Sequence, residues 1–497
     1  TASLGQVSPR DQACILGLNS NKNGLLVLQS NYEDGLAFGP ALQLHGTTDA
    51  PKKLLDAGTV SYSTLCAADY DSDGDLDPFV GGRCRPGIYP SPVASVILRN
   101  DSGQFVKDDK HAALLSKAGS VSAAVWTDLL GDHHPELVLA CDPGLIRVYR
   151  NITGSLREVT AELGLRNYVG FWNSIAAGDF NGDGNMDLIA GNIGTNSGYE
   201  IYGKPGIVWH HGDLSGGGVH DVFESYSGGS TAKTLPIRSY AGVVQAIPFL
   251  HELYPTYAAY ANGTTGHILG EQKNKLAAIR LTSFMSVVMI NRGDRLDVSP
   301  LPLEAQLAPV FGISVADFDA DGSEDLFLAQ NFFGTRPDFP RMDAGRGLLL
   351  NGDGNGGFKP VNSWMSGIRM TGDQRGSAVA DFDRDGRADL LAGQNAGKTK
   401  LYRNQFPKRG LRVRLSGRNR NSSGIGAKLR LSSITELGPA REIRAGGGYR
   451  SQDATTQVMA LGDATPTRLQ VYWPSGVTST TSIPPGASEI TVQEPTQ

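Results

Sequence analysis

The chain has 497 residues, of which 63 are Gly and 26 are Pro, and only 19% are charged. This composition favours many short strands and tight turns over long helices, and at this length two structural units are expected unless the fold is a propeller or barrel. The net charge of −5 gives no general reason to expect nucleic acid or an anionic membrane as a partner, and no apolar run reaches the roughly 18 to 20 residues that span a bilayer.

The N-terminal region predicts a small antiparallel meander, because three apolar runs between Gln12 and Leu44 are separated by turn-rich segments. The next segment, STLCAADYDSDGDLDPFVGG, places acidic residues at loop positions 1, 3, 5 and 9 and Gly at position 6. Such oxygens resemble the first part of a calcium loop. In an EF-hand helices flank the loop and the last acid is at position 12, whereas here the flanks are apolar and partly β-branched. The segment therefore predicts a β-hairpin metal loop.

Six copies of this unit occur, with first aspartates at positions 69, 128, 179, 213, 317 and 381. Except for the two intervals that flank position 213, the spacing is near the roughly 40 to 60 residues of a propeller blade. The second copy has Leu130 at loop position 3 and His133 in place of Gly, and the fourth has Gly217 at position 5. We expect these two eroded loops to bind metal weakly or not at all, because ligand charge sets calcium affinity.

The other four copies predict calcium sites. Their clustered carboxylates repel one another unless a divalent cation neutralises them, and oxygen-only ligands favour calcium over zinc. The alternative is an ion-free Asp-Gly turn. With a backbone oxygen at position 7 added by analogy with calcium loops, the predicted ligands are Asp69, Asp71, Asp73, Asp75 and Asp77; Asp179, Asn181, Asp183, Asn185 and Asp187; Asp317, Asp319, Asp321, Ser323 and Asp325; and Asp381, Asp383, Asp385, Arg387 and Asp389.

A long interval between the fourth and fifth copies predicts an insertion. Within it, residues 236–262 show helical periodicity that is broken at Pro248 and Pro255. The six units and the meander predict an all-β fold, a seven-bladed β-propeller over residues 1–405. Residues 406–497 lack metal loops and alternate apolar and polar residues, which predicts a C-terminal β-sandwich.

The four cysteines are Cys14, Cys66, Cys84 and Cys141, and none has CxxC spacing. Two disulfides are one interpretation, and four buried thiols in a reduced compartment are the other. Among the three pairings we favour Cys66–Cys84, whose members flank one metal loop, which leaves Cys14–Cys141.

Glycosylation sequons occur at Asn100, Asn151, Asn262 and Asn421, and they are relevant only in a eukaryotic secretory route. The first residue is Thr1 rather than Met, which is compatible with a removed targeting segment or with trimming of the sequence. We expect a secreted, extracellular or periplasmic protein without a membrane span.

Several motifs together resemble a known family. The DxDxDGxxD hairpins are similar to FG-GAP or VCBS propeller repeats, and RNRNSSGIGAKLRL, GGGYRSQD and LQVYWPSGV resemble the ASPIC/UnbV domain that follows such repeats in relatives of cartilage acidic protein. GGRCRPGIYP, GFWNSIAAGDFNGDG, GNIGTN and LPLEAQLAPVFGISVADFD extend the resemblance over nearly the whole chain. It implies a calcium-binding propeller and little about activity, because propellers host many functions.

A second group of residues lies just before or after the metal loops, where strand ends and connecting loops line the mouth of a propeller. Aromatic faces together with Arg and Asn suit a polar ligand such as a glycan or a carboxylate. The alternative is that these residues brace neighbouring blades. The candidates are Arg83, Arg85, Tyr89, Trp126, Trp172, Asn173, Asn192, Asn196, Asn331, Arg341, Asp343 and Arg375.

Two functions are compatible with these features. The first is a secreted calcium-binding propeller that acts as an adhesion, matrix or ligand-binding module, with a protein or glycan ligand on its loops. The second is a propeller enzyme, a lyase, isomerase or cyclase with its active site in the central funnel. We favour binding, because the sequence has no GxSxG, Walker or Rossmann fingerprint. The tripeptide Arg292-Gly293-Asp294 is expected to be a turn between outer strands rather than an adhesion site.

Overall fold

The computed structural model describes residues 10–496 except 19–23, 47–49, 203–205, 215–216, 228–232, 337–338 and 419. Within these residues the regular structure is mainly antiparallel β-sheet, so the all-β prediction is confirmed. None of the helices in the described ranges is both long and apolar enough to cross a membrane.

The first three sheets are meanders in chain order. The first contains β1 (Asp11–Leu18), β2 (Gly24–Ser30), β3 (Pro40–His45) and β4 (Lys52–Asp56). The second contains β5 (Ser61–Ala68), β6 (Asp77–Cys84), β7 (Val96–Asp101) and β8 (Gln104–Lys107), and is followed by helix α1 (Ala112–Leu115). The third contains β9 (Val121–Thr127), β10 (Glu136–Cys141), β11 (Gly144–Asn151), β12 (Leu156–Glu158) and, after a 3-10 turn at Leu165–Asn167, β13 (Val169–Gly170).

The fourth sheet is interrupted by the insertion. It begins with β14 (Ser174–Gly178) and β15 (Asp187–Gly191). The insertion comprises a 3-10 turn (Glu200–Tyr202), β16 (Ile207–Gly212), β17 (Asp221–Ser227), β18 (Thr234–Pro236), α2 (Tyr240–Ala246), α3 (Leu250–Leu253), α4 (Tyr257–Ala261), α5 (Thr265–Leu269), a 3-10 helix (Gly270–Lys275) and β19 (Ala277–Leu281). The sheet resumes with β20 (Val287–Asn291) and β21 (Leu296–Pro300). The predicted helices are present, with breaks at both predicted prolines, and they extend beyond residue 262.

Two further propeller sheets precede the C-terminal region. After a 3-10 turn at Leu303–Gln306, the fifth sheet contains β22 (Val310–Ala316), β23 (Asp325–Gln330), β24 (Leu348–Gly352) and β25 (Phe358–Val361). Helix α6 (Ser363–Ser366) leads to the sixth sheet, which contains β26 (Asp373–Ala380), β27 (Asp389–Asn395) and β28 (Gly397–Tyr402).

The C-terminal region is a β-sandwich, as predicted. Its strands are β29 (Leu411–Ser416), β30 (Lys428–Ser432), β31 (Leu437–Glu442), β32 (Gln457–Met459), β33 (Arg468–Tyr472), β34 (Thr478–Ser482) and β35 (Glu489–Gln493). One sheet has the order β32-β29-β35 and the other β31-β30-β33-β34. The apolar side chains of Val413, Leu429 and Val471 are fully buried in this core.

Six sheets, rather than the predicted seven, pack in succession within the described part of the chain. Their first strands contact each other in the order β1, β5, β9, β14, β22 and β26. The sheet that follows Asp179 and contains Asp213 is outside this series, because the chain leaves the fourth sheet after β15 and returns to it at β20, which pairs with β15. One repeat is thus inserted into another, which explains the irregular spacing around Asp213.

The centre of the propeller is filled by Gly446–Asp453, which we name the axial segment. It belongs to the sandwich, yet it meets the first strand of every propeller sheet. These contacts are Gly446 with Cys66 of β5, Gly448 with Ala124 of β9 and Ile175 of β14, Tyr449 with Phe311 of β22, Gln452 with Gly17 of β1, and Asp453 with Val379 of β26. A short segment that touches six strands in succession lies on the propeller axis.

The predicted disulfides are wrong, because all four cysteines are free and buried. In the β5–β6 hairpin Cys66 pairs with Phe79, whereas Cys84 pairs with Ser61, which lies five residues before Cys66 in β5. That separation is about 16 Å at 3.3 Å per residue, well beyond the roughly 7 Å limit for bridged Cα atoms. Cys14 and Cys141 lie in different sheets, and their Sγ atoms donate to the carbonyl oxygens of Leu65 and Ala118, respectively.

Three of the four sequons are also unsuited to glycosylation in the folded protein. The side chains of Asn100, Asn151 and Asn421 are buried, and the Nδ2 atom of each donates to a backbone carbonyl oxygen. Asn262 is exposed at the end of α4.

Candidate metal loops and ligand funnel

Five of the six predicted metal loops lie on one face of the propeller, because each joins the first strand of a propeller sheet to the second. They follow β5, β9, β14, β22 and β26, whereas the loop at Asp213 follows β16 in the inserted sheet. The opposite ends of β1, β5 and β22 border a single cavity. We refer to these two sides as the loop face and the funnel face.

The loop after β5 shows how the motif shapes a cation site. The carboxylate of Asp69 accepts the backbone N–H of Asp73 at 3.0 Å, and Asp77 accepts that of Asn100 at 2.7 Å. These bonds turn the chain back so that one oxygen each of Asp69, Asp71 and Asp77 lie within 4.8 Å of one another. Three carboxylates this close require a cation or protons.

The same architecture recurs at all four strong loops. The acid at position 5 accepts the N–H of position 7, as in Asp73 with Asp75, Asp183 with Asn185, Asp321 with Ser323, and Asp385 with Arg387. The acid at position 9 fixes the loop to the next strand or turn, as in Asp77 with Asn100, Asp187 with Asn291, Asp325 with Gly352, and Asp389 with Asn404. Position 5 therefore shapes the turn, and position 9 links the loop to its sheet.

Burial raises the pKa of several loop acids above the ordinary value of about 3.9. It raises the pKa of Asp69, Asp187 and Asp317 to about 7. It raises the pKa of Asp77 and Asp325 to about 8. Without a cation these carboxylates are therefore unfavourable at neutral pH.

The residues present fit a hard divalent cation. Acidic clusters that could hold a metal ion also occur at Asp317, Asp319 and Asp325, and at Asp381, Asp383 and Asp385. In the loop after β14, Asn181 occupies position 3, and Oδ1 of the buried Asp179 has no hydrogen-bond partner. A buried carboxylate oxygen without a partner is costly, so a ligand for it is expected.

The loop after β26 differs, because arginines contact its acids. Arg412 reaches Asp381, Arg403 reaches Asp383, and Arg387 reaches Asp385. A metal ion at this loop would compete with these ion pairs. The spacing of the motif does not reveal the ion pairs.

The eroded loop after β9 keeps the hairpin and carries a lysine. His133 adopts φ +68 in place of the motif Gly, and an acidic cluster of Asp128, Asp132 and Glu136 remains. The ammonium of Lys428, from the sandwich, lies 2.9 Å from Asp128 Oδ2 and is largely buried. Lys428 thus supplies a positive charge to this eroded loop, as arginines do at the loop after β26.

Lys428→Met is therefore expected to lower the free energy of unfolding by about 3 to 5 kcal/mol, because it leaves a buried carboxylate unpaired. Urea denaturation in saturating calcium measures the loss. Lys408→Met is the matched control, since Lys408 pairs with Asp463 on the surface and exposed pairs contribute about 0 to 1 kcal/mol. Equal effects of the two substitutions would contradict the assigned role of Lys428.

The sandwich docks on the loop face through charged contacts like this one. Ala440 donates its N–H to Asp179 at 2.7 Å, and Arg441 pairs with Glu324 at 2.7 Å. Arg420 lies 3.2 Å from Asp75. The loops are therefore shared between the propeller and the sandwich.

The funnel face holds a cavity of about 860 Å³. Of the twelve predicted ligand residues, Arg83, Tyr89 and Asn173 line it. Arg375 stacks 4.2 Å over the ring of Phe311 in its wall. These four are the predicted residues that the fold brings to the funnel.

The other predicted residues have different roles. Asn192 and Asn331 are fully buried and bond backbone groups of adjoining loops, which is the bracing alternative. Trp172 is buried in the core and donates Nε1–H to Tyr168. The remaining five lie outside the cavity lining: Trp126 stacked on Tyr70, Asn196 donating to Leu307, Arg341 paired with Asp343, and the exposed Arg85.

Two buried acids organise the funnel wall. Asp142 accepts hydrogen bonds from Arg83 and from the Tyr89 hydroxyl. Burial, followed by the Asp142 charge, raises the pKa of Tyr89 well above its usual value, so the phenol stays protonated.

Glu224 has the same role as Asp142, in the part of the wall that the insertion forms. It accepts the Tyr199 hydroxyl at 2.5 Å and pairs with Arg238 at 3.2 Å. Arg336 approaches its carboxylate at 3.8 Å. The sequence does not reveal Glu224 and Arg238 as funnel residues, because the repeat around Asp213 is interpreted there as a separate blade, and Arg336 lies in the distant segment between β23 and β24.

The predicted turn at Arg292-Gly293-Asp294 connects β20 and β21. The side chain of Arg292 pairs with Asp297 at 2.9 Å, and Asp294 is exposed. The tripeptide is an ordinary hairpin turn in this structure.

Comparisons with known proteins agree with these features. A family model described as FG-GAP-like repeat matches residues 128–190 and 317–392, and one described as ASPIC and UnbV matches residues 417–497. No curated protein sequence matches the chain.

Among solved structures, the Dos1 propeller is 10% identical, with a TM-score of 0.36 and coverage of 97% of this chain and 96% of that one. The exotype rhamnogalacturonan lyase YesX is 11% identical, with a TM-score of 0.34 and coverage of 98% and 74%. The V. cholerae biofilm matrix protein Bap1 is 12% identical, with a TM-score of 0.28 and coverage of 82% and 90%. Likenesses this weak carry no conclusion about function.

Proposed function

We propose that this chain, a propeller of FG-GAP-like repeats with a C-terminal ASPIC/UnbV domain, is a calcium-binding module that holds a ligand in its funnel. The observation that carries the calcium part is the buried acid cluster in the loops, with raised carboxyl pKa values and an unpartnered oxygen. Calcium would neutralise these acids and hold each hairpin to its sheet. The ions are structural in this proposal.

Binding is favoured over catalysis because the two buried acids of the funnel wall already have hydrogen-bond and ion-pair partners. Asp142 is held by Arg83 and Tyr89, and Glu224 by Tyr199 and Arg238. A general base must be able to accept a proton from the substrate. Wall acids saturated by arginine and tyrosine serve better as scaffolding for a fixed binding surface.

The proposal places the protein outside the cytoplasm, where calcium is abundant. Extracellular calcium modules have dissociation constants of about 10⁻⁴ to 10⁻³ M, which suits loops with three or four carboxylates on a surface shared with a second domain. The partner would be a protein or a glycan ligand that reaches the funnel.

Calcium is expected to raise the melting temperature of the full chain, because each site filled at a hundredfold excess over Kd adds about 2.7 kcal/mol. Asp325→Asn should remove the calcium-dependent increment of one loop. It also lowers the stability of the calcium-free protein, because the two oxygens of Asp325 accept the N–H groups of Phe318 and Gly352 and the amide NH2 cannot accept one of them. The quantity to compare is therefore the difference between the melting temperatures in calcium and in chelator. Asp353→Asn, in the exposed turn between β24 and β25, is the matched control. Calorimetry with calcium and with chelator measures both. Coincident melting curves in calcium and chelator would contradict the proposal.

The calcium effect should also be larger at pH 8 than at pH 5.5. In the calcium-free protein the raised pKa values of Asp77, Asp317 and Asp325 mean that the folded state binds more protons than the unfolded state between about pH 4 and 8. Its stability therefore falls as pH rises through that window, whereas calcium binds the ionised acids and restores it. Melting temperatures measured at both pH values, with and without calcium, test this, and an equal calcium effect at both would contradict it.

A further inference from the structure

The floor of the funnel carries an arginine without an acidic partner. Arg450, in the axial segment, lines the cavity and is exposed to it. Arg83, Arg238 and Arg336 in the same cavity each contact a carboxylate. Among the described residues no carboxylate lies within ion-pair distance of Arg450, whose guanidinium instead lies 5.2 Å from the ring of Tyr449. The sandwich thus delivers a positive charge through the propeller axis to the funnel.

The backbone at Arg450 is also unusual. Its φ is +53, a left-handed conformation that costs a residue with a Cβ about 1 to 2 kcal/mol. The segment is held there by the hydrogen bond from Gly447 N–H to the Ser451 carbonyl oxygen at 2.6 Å. Strained residues of this kind cluster at ligand sites.

Two buried groups in the funnel wall lack hydrogen-bond partners. They are Nε1 of Trp209 and Nδ2 of Asn173, and both residues line the cavity. The side chains are about nine-tenths buried, with Trp209 and Asn173 each 7% exposed. An indole N–H can only donate, and a buried donor without an acceptor costs about 1 to 3 kcal/mol. An acceptor supplied by a ligand would satisfy it.

The acids of the funnel do not provide that acceptor. Asp142 and Glu224 are occupied by arginine and tyrosine, and Asp11 and Glu33 are exposed on the side of the first sheet. The funnel wall thus contains two buried donors without partners, and the exposed Arg450 adds a positive charge. Its aromatic wall, which includes Phe311, offers an apolar surface.

We propose that the funnel binds a small organic acid whose ring packs on the aromatic wall and whose carboxylate faces Arg450. This inference rests on the proposed binding function and specifies its ligand class. A sugar acid and an aromatic acid share this chemistry, and the experiment separates them. The size of the cavity suits either, since ligand pockets are typically about 300 to 1,000 Å³.

The test is calorimetric titration of the calcium-saturated full chain with D-glucuronate and benzoate, and with D-glucose and benzamide as their neutral counterparts. At least one acid should bind tenfold or more tightly than its neutral counterpart, with one site per chain. Glucuronate alone would identify a sugar acid, and benzoate alone an aromatic acid. Equal binding of the acids and the neutral compounds, or no binding of any, would overturn the inference.

Variants assign the site. Arg450→Asn should weaken acid binding at least tenfold, because Asn tolerates the left-handed backbone but lacks the charge, whereas Arg450→Lys should retain most of it. Trp209→Phe keeps an aromatic ring, removes the indole N–H and should weaken binding. The double variant Asp11→Asn, Glu33→Gln should strengthen it by removing repulsion.

If Arg450→Asn binds the acids as the wild type does, the inference is wrong. The calcium-dependent rise in melting temperature is measured on the same variants. A protein that keeps this rise but does not prefer acids overturns the ligand class alone, whereas loss of the rise in the wild type overturns the proposed calcium function.

Discussion

Gly448→Ala is expected to lower the free energy of unfolding by at least about 3 kcal/mol, or to prevent the accumulation of soluble protein. Gly448 has φ +87, and a Cβ at this position would overlap the carbonyl oxygen of Ile175 in β14. The backbone of one propeller strand cannot move away without disturbing its neighbours, so both overpacking and backbone strain contribute. Urea denaturation in saturating calcium measures the effect.

The adjacent Gly447 provides the control. Its φ is not in the left-handed region, and the nearest atom to a Cβ there is Ser451 Oγ at 3.2 Å, the end of a small side chain. Gly447→Ala should therefore change stability by less than about 1 kcal/mol, as most substitutions away from such features do. Similar losses for both variants would show that the axial position of Gly448 is not what constrains it.

Cutting the linker between β28 and β29 is expected to leave one folded complex. The axial segment lies within the propeller, and ion pairs such as Lys428 with Asp128 and Arg441 with Glu324 cross the interface. A protease site inserted between Gln405 and Phe406 should yield two fragments that elute together in gel filtration and melt in one transition.

The propeller fragment alone, residues 1–405, should aggregate or remain unfolded. Without the axial segment the inner strands lose their central contacts, and the acids at Asp128 and Glu324 lose their cations. The propeller and the sandwich also share one buried apolar cluster, which includes Leu65 and Val80 in the propeller and Leu429 in the sandwich. Exposing a large apolar side chain costs about 1.5 to 3 kcal/mol, so a few such losses are comparable with the whole stability of a typical domain, about 5 to 15 kcal/mol. A soluble, cooperatively folded fragment, or separation of the cut fragments, would contradict this expectation.

The sequence by itself determined the repeat, the hairpin loops and the sandwich. These are local properties, because four acids and a Gly within nine residues specify a turn whose side chains meet, and strand periodicity appears in each segment. The loop acids after β5 and β22 converge as their spacing predicts. The helices of the insertion could also be predicted from local sequence, since the prolines that break them are visible there.

Only the tertiary structure decided how these units are arranged. The spacing of first aspartates does not show that the Asp213 sheet is inserted within the fourth sheet, because an inserted repeat and an additional blade have the same local pattern. The Cys66–Cys84 prediction failed for a related reason. Proximity in sequence placed the two residues near one loop, but strand register placed them at opposite ends of the hairpin.

The funnel depended most on long-range packing. The motif that contains Arg450 and the segment with Trp209 lie far from Arg83 in the chain, and they share one cavity because the insertion folds over the funnel and the sandwich threads the axis. Lys428 and Asp128, which form an ion pair, are also far apart in the sequence. Burial of charges and donors depends on which elements pack together, so the sequence could supply these side chains but the fold alone made them a site.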